Sequence, residues 1–130
     1  MASQNDHQIT KNKNFCQSLG HAWDGIIDLF KEERNFRFHT CAAMTVVVIG
    51  LILHVSLEDW SWLLVAIFAV LVMEGVNTVV ENMVDLEVGH HYNLRAKHIK
   101  DIAAGCVLVT SFFAAIIGCI VFIPVLLRLV

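Results

Sequence analysis

Three apolar stretches, each near the length of a bilayer crossing, constrain this 130-residue chain more than any other feature. Crossing about 30 Å of hydrocarbon takes roughly 20 apolar residues in a helix. Residues 38–57 (FHTCAAMTVVVIGLILHVSL), 60–87 and 102–127 reach that length. Lipid offers no partner for open backbone N–H and C=O groups, so segments of this kind must be helical. A composition 57% apolar, with a mean hydropathy of +0.66, suits a membrane protein better than a soluble domain of this size. The link at 55–60 (VSLEDW) is so short that the first two spans must form an antiparallel hairpin.

Ahead of the first span, Phe15, Leu19, Trp23, Ile26 and Phe30 recur every three or four residues, while Gln17, Asp24 and Lys31 fall between them. That period predicts an amphipathic helix over about 14–34, too polar to cross and suited to the plane of the membrane interface. A soluble helix packed on a core is the alternative. Residues 1–13 (MASQNDHQITKNK) are polar and aperiodic, and are expected to be a flexible N-terminus without the features of a secretory signal peptide. Pro124 falls near the end of the third span, where a lost backbone hydrogen bond matters less. The fold class predicted is all-α: three transmembrane helices and one surface helix in a single domain over 14–130.

Charge sets the orientation. Lys11, Lys13, Lys31, Arg34 and Arg37 precede the first span, Arg95, Lys97 and Lys100 lie between the second and third, and the 55–60 link has no Lys or Arg. Positive charge stays inside, which makes the N-terminus and the 88–100 loop cytoplasmic, with Trp60 and Trp62 at the outer boundary. A formal net charge of −3 and the lack of a basic block give no support for a nucleic-acid partner. Cys16, Cys41, Cys106 and Cys119 form no C-x-x-C pair and are expected to be reduced, packed thiols. The seven histidines show no H-x-x-x-H metal pattern and are read as interfacial side chains.

The second span breaks the apolar rule. Glu74, Asn77, Glu81 and Asp85 follow at intervals of three, four and four, which on a helix confines them to a sector of about 80°. Counting from residue 60, Glu74 falls roughly 21 Å from the outer boundary, in the inner leaflet, and Asp85 reaches the cytoplasmic surface. A carboxylate at lipid depth costs about 3 kcal/mol on insertion scales, so such groups face a bundle interior and serve a purpose. Asn77 alone could simply join helices by hydrogen bonding. Three acids in register need protonation or a cation to relieve their repulsion, and a divalent cation is the simpler answer. The segment KEERNFRFH (31–39) brings Glu32 or Glu33 level with the lower stripe, and RAKHIKDIAAG supplies Lys100 and Asp101 before the third span. Lys100 suits a phosphate; Asp101 suits either a nucleotide or the N-cap of the third helix. A reading from another class makes the stripe the ion path of a small oligomeric cation- or proton-coupled transporter, although residues 61–73 carry no charge to continue such a path outward.

Three motifs in order, E-x-x-F-R at Glu33, Phe36 and Arg37, E-x-x-N-x-x-x-E-x-x-x-D at Glu74, Asn77, Glu81 and Asp85, and K-D-x-A-A at Lys100 to Ala104, resemble the prokaryotic integral-membrane diacylglycerol kinase and undecaprenol kinase family. The 31–39 segment looks most like the undecaprenol kinase branch. The resemblance implies a homotrimer in the bacterial inner membrane that uses ATP and Mg²⁺ to phosphorylate a lipid alcohol, undecaprenol or, as the alternative, diacylglycerol. It implies a metal held by Glu33 and Glu81, Glu74 as general base with Asn77 positioning the alcohol, and nucleotide contacts from Asp85, His91, Tyr92, Asn93, Lys100 and Asp101. Two carboxylates suit a Mg²⁺ that keeps water and phosphate ligands, and no P-loop or kinase Gly-rich loop is present. The small residues Ala103, Ala104, Gly105, Ala114 and Gly118 are expected to allow close helix approach.

Overall fold

The computed structural model describes residues 14–89 and 91–128, so the N-terminal stretch 1–13, expected to be flexible, lies outside the described residues. Four helices follow in order: α1 (Phe15–Glu32), α2 (Arg34–Ile52), α3 (Leu57–Val88) and α4 (Leu94–Leu127). Helices α2, α3 and α4 are each long and apolar enough to cross a membrane. Helix α3 packs against both α2 and α4, which makes it the centre of the bundle, while α1 touches α2. At 32 and 34 residues, α3 and α4 extend about 48 and 51 Å, well past the hydrocarbon thickness. The excess carries Glu81, Asp85, Lys97, Lys100 and Asp101.

The boundaries differ from the sequence reading where caps, rather than hydropathy, decide them. The first spanning helix starts at Arg34 and ends at Ile52, ahead of the expected 38–57. It ends in a Schellman turn: Val55 N–H donates to the Gly50 carbonyl at 3.2 Å, His54 N–H donates to Leu51 at 3.3 Å, and His54 takes a φ of 50°. Ser56 then caps α3, its Oγ accepting from Asp59 N–H at 3.1 Å and donating to the Asp59 carboxylate at 2.8 Å. These paired caps close the hairpin over a small core of Val55, Leu63 and Val121, with Trp60 and Phe122 packed around it. Trp60 lies so close that a Cβ on Gly50 would meet its ring at 2.9 Å. Helix α4 begins at Leu94 rather than near Ile102 and runs through Pro124 to Leu127.

His54 is the one described residue other than glycine with positive φ. A left-handed conformation is costly for an L side chain, although here the ring Nδ1 lies 3.0 Å from the Ile52 carbonyl. His54→Gly is expected to raise the thermal midpoint in detergent, by about 0.5–1 kcal/mol of relieved strain. A lower midpoint would show that the ring contact outweighs the strain.

The first connection is a single residue. Glu33 is extended (φ −97°, ψ 109°) between α1 and α2, with neither glycine nor proline to mark the break. Arg37 secures it, its Nη1 donating to the Phe30 and Lys31 carbonyls, each at 2.8 Å, at the C-terminal end of α1. Phe36 is buried and meets Phe30 edge to face, with ring centroids 5.0 Å apart. The E-x-x-F-R motif is therefore a joint, in which Phe36 and Arg37 hold Glu33 at a fixed bend.

Two packing expectations need correction. All four cysteines are free but exposed on the single chain, because they project from faces that this chain does not cover. Gly105 and Gly118 have no neighbouring atom within 4 Å of where a Cβ would sit, so they do not mark close helix contacts within one chain.

Candidate functional site

Along α3 the polar stripe runs from the interior to solvent. Glu74 and Asn77 are 2% and 5% exposed, Glu81 is half-buried, and Asp85 is exposed. This gradient follows from α3 being covered by α2 and α4 at mid-length, while its C-terminal end runs on beside the first turns of α4. The two buried groups face inward, as the cost of a carboxylate in hydrocarbon requires.

Glu74, Asn77 and Glu81 line a cleft of about 280 Å³ together with Asn35 and His39 of α2 and Ala104, Val107 and Ser111 of α4. Asn77 Nδ2 donates to Glu81 Oε1 at 3.1 Å. A carboxylate accepts and cannot donate, so this contact fixes which way the Asn77 amide points. It leaves Asn77 Oδ1 buried without a partner. Asn35, His39, Glu81 and Glu33 all lie close enough to act on the Glu74 carboxylate. Of the two adjacent glutamates, Glu33 is half-buried at the joint and Glu32 is exposed.

Glu74 and Glu81 are the carboxylates that line this cleft; Glu33 lines the neighbouring cavity beside α1 and acts on Glu74 electrostatically. Among the described residues no three His, Cys, Asp or Glu side chains gather as a metal cage. Such a sparse set suits a hard cation that keeps waters or phosphate oxygens as its remaining ligands, which is the habit of Mg²⁺.

Beyond the cleft, α3 and α4 project side by side. Lys100 Nζ lies 2.6 Å from Asp85 Oδ1. Lys97 meets Asp101 at 2.6 Å, one turn apart on α4. Both pairs are at least one-third exposed, so they are available for exchange with an incoming anion. His91, Tyr92 and Asn93 are exposed in the connection between α3 and α4. Asn93 caps α4, its Oδ1 accepting from Arg95 N–H at 2.9 Å and Ala96 N–H at 3.2 Å. The helix N-cap is thus Asn93, not Asp101, and the Asn93 side-chain oxygen already has structural work.

The structure brings Glu74, Asn77 and Glu81 into one cleft, leaves Glu33 on the separate cavity between α1 and α3, and sets Asp85 with Lys100 further out. Sequence reasoning missed Asn35, His39 and Ser111. His39 lines the cleft. Its position one turn after Asn35 was the available signal, since both project from one face of α2.

The sequence pattern of prokaryotic diacylglycerol kinase matches residues 20–122. An undecaprenol kinase from Bacillus subtilis is 38% identical over 119 residues, 92% of this chain and 95% of that enzyme. A diacylglycerol kinase from Synechocystis is 37% identical over 116 residues, which cover 89% of this chain but only 66% of that longer protein. The diacylglycerol kinase of Escherichia coli K12 is 28% identical over 104 residues, 80% of this chain and 84% of the enzyme.

Proposed function

Because this chain belongs to the prokaryotic diacylglycerol kinase family and is a lipid kinase, we propose that it transfers the γ-phosphoryl group of ATP to a membrane lipid alcohol, undecaprenol in preference to diacylglycerol. The observation that carries the chemistry is the burial of Glu74 in a cleft that also holds Asn77 and Glu81. The preference for undecaprenol rests on a match that covers nearly the full length of both chains. The acid stripe belongs to an enzyme, so the transporter reading is set aside.

Glu74 takes the proton from the lipid hydroxyl as that oxygen forms a bond to the γ-phosphorus. The bond from phosphorus to the β,γ-bridging oxygen breaks, and ADP leaves. Asn77 holds Glu81 with its amide N–H and presents its open Oδ1 to the alcohol. Glu33 and Glu81 would hold Mg²⁺, which when bound neutralises charge on the phosphate oxygens. Lys100 moves from Asp85 to a phosphate oxygen, a short exchange for an exposed lysine. Asp85, Asp101, His91, Tyr92 and the free amide N–H of Asn93 border the nucleotide.

The setting follows from the same physics. The N-terminus and the connection between α3 and α4 face the cytoplasm of a bacterial inner membrane, where ATP is available. Helix α1, with Phe15, Leu19 and Trp23 exposed, lies on the interface. A homotrimer covers the apolar faces that one chain leaves open. In mixed micelles with labelled ATP, label is expected in undecaprenol at a kcat/KM at least several-fold above that for diacylglycerol, and only with Mg²⁺ added. Equal transfer to both lipids would remove the preference; transfer to neither would remove the proposal.

A further inference from the structure

A second cavity adjoins the acid cleft. It is a groove of about 530 Å³ between α2, α3 and α4, walled by side chains such as Val46, Ile67, Val70, Ala115 and Phe122. His39 and Ser111 line both this groove and the cleft that holds Glu74, so they form the throat between an apolar chamber and an acidic one.

Ser111 departs from the behaviour of its neighbours. Hydroxyls within these helices return to the carbonyl one turn back: Thr110 to Cys106 at 2.8 Å, Thr40 to Phe36 at 2.9 Å, Thr45 to Cys41 at 2.9 Å and Ser61 to Leu57 at 3.1 Å. Ser111 Oγ is buried without any partner. Thr78 Oγ1 is likewise unpartnered, but it borders the separate cavity beneath α1. A buried hydroxyl left open costs stability unless something else supplies the bond. The groove beside Ser111 is itself made by missing side chains, since Gly118 lines it and has no neighbouring atom within 4 Å of where a Cβ would sit.

We propose that Ser111 is a substrate-binding residue, whose hydroxyl hydrogen-bonds the acceptor alcohol at the throat while the hydrocarbon chain of that alcohol lies in the groove past Gly118. The proposal rests on the lipid-kinase reading and deepens it. An amphiphile with one hydroxyl must stop where its apolar tail ends and polar partners begin. His39 and Ser111 are the side chains that both cavities share, and Glu74 stands on the polar side of them. The occupant is a lipid tail because the groove is walled almost wholly by apolar side chains and shares His39 and Ser111 with the cleft that holds Glu74.

The test uses the full-length protein in mixed micelles, with lipid alcohol and ATP varied separately. Ser111→Ala is expected to raise the KM for the alcohol roughly tenfold, the effect of one lost hydrogen bond, and to leave the KM for ATP unchanged. Ser111→Thr restores the hydroxyl and most of the affinity. Gly118→Leu fills the groove, and is expected to penalise a long-chain prenyl alcohol while sparing a short-chain one. An unchanged alcohol KM in Ser111→Ala, an equal rise for ATP, or dissociation of the oligomer in Gly118→Leu overturns the proposal. The last outcome would mean that a neighbouring helix fills the groove. If Ser111→Ala does not fold, the chain-length dependence of Gly118→Leu decides alone. A wild-type protein inactive on every lipid alcohol would remove the kinase reading itself, whereas an active one with indifferent Ser111 removes only this assignment.

Discussion

Glu74→Gln is expected to lower kcat by about 10²–10⁴-fold, the usual worth of a general base, with little change in the KM for ATP. The substitution keeps the size of the side chain but removes the group that takes the proton. Glu74 is 2% exposed and shares its cleft with Asn77 and Glu81, so no other solvent-borne base has easy access to the same place. The variant should also be at least as stable as the wild type, because a neutral amide is easier to bury than a carboxylate flanked by two others. Steady-state kinetics alongside a thermal melt in detergent check both halves. Wild-type turnover in a folded Glu74→Gln protein would move the base elsewhere.

Changes at Glu33 and Glu81 should have the second-largest effect, and of a different kind. Glu33→Gln and Glu81→Gln are each expected to raise the Mg²⁺ concentration for half-maximal rate by roughly 10–100-fold, at least as much as loss of a supporting ligand contact. Glu81→Gln should also disturb Asn77, whose amide N–H now donates to the Glu81 carboxylate. It is therefore expected to impair the alcohol KM, whereas Glu33→Gln, held at the joint by Arg37 and Phe36, leaves it nearly unchanged. Mg²⁺ titrations at fixed lipid, and lipid titrations at saturating Mg²⁺, separate the two. Equal shifts in both requirements for Glu33→Gln would count against its metal role.

The shared face of Glu74, Asn77 and Glu81 was readable from the sequence. The 3-4-4 spacing of Glu74, Asn77, Glu81 and Asp85 is a local property, because a helix in lipid has no alternative geometry and periodicity then fixes which residues share a face. The break at Glu33 was not readable. It depends on Arg37 reaching back to the carbonyls of Phe30 and Lys31, a contact across six and seven residues that no propensity signals. The early start of α4 was hidden for a related reason: hydropathy marks where a helix enters lipid, whereas the Asn93 cap marks where the helix begins.

Sequence by itself determined the class of the fold, the three helices long and apolar enough to cross a membrane, and the single acidic line, because hydrophobic length and helical period act within one segment. Tertiary structure alone decided what that line faces. Asn35, His39 and Ser111 come from α2 and α4, and only the packing of both against α3 joins them to Glu74 in one cleft and sets an apolar groove beside it. The physical reason is that burial and cavity shape are relations between helices, and no periodicity within a single helix contains them.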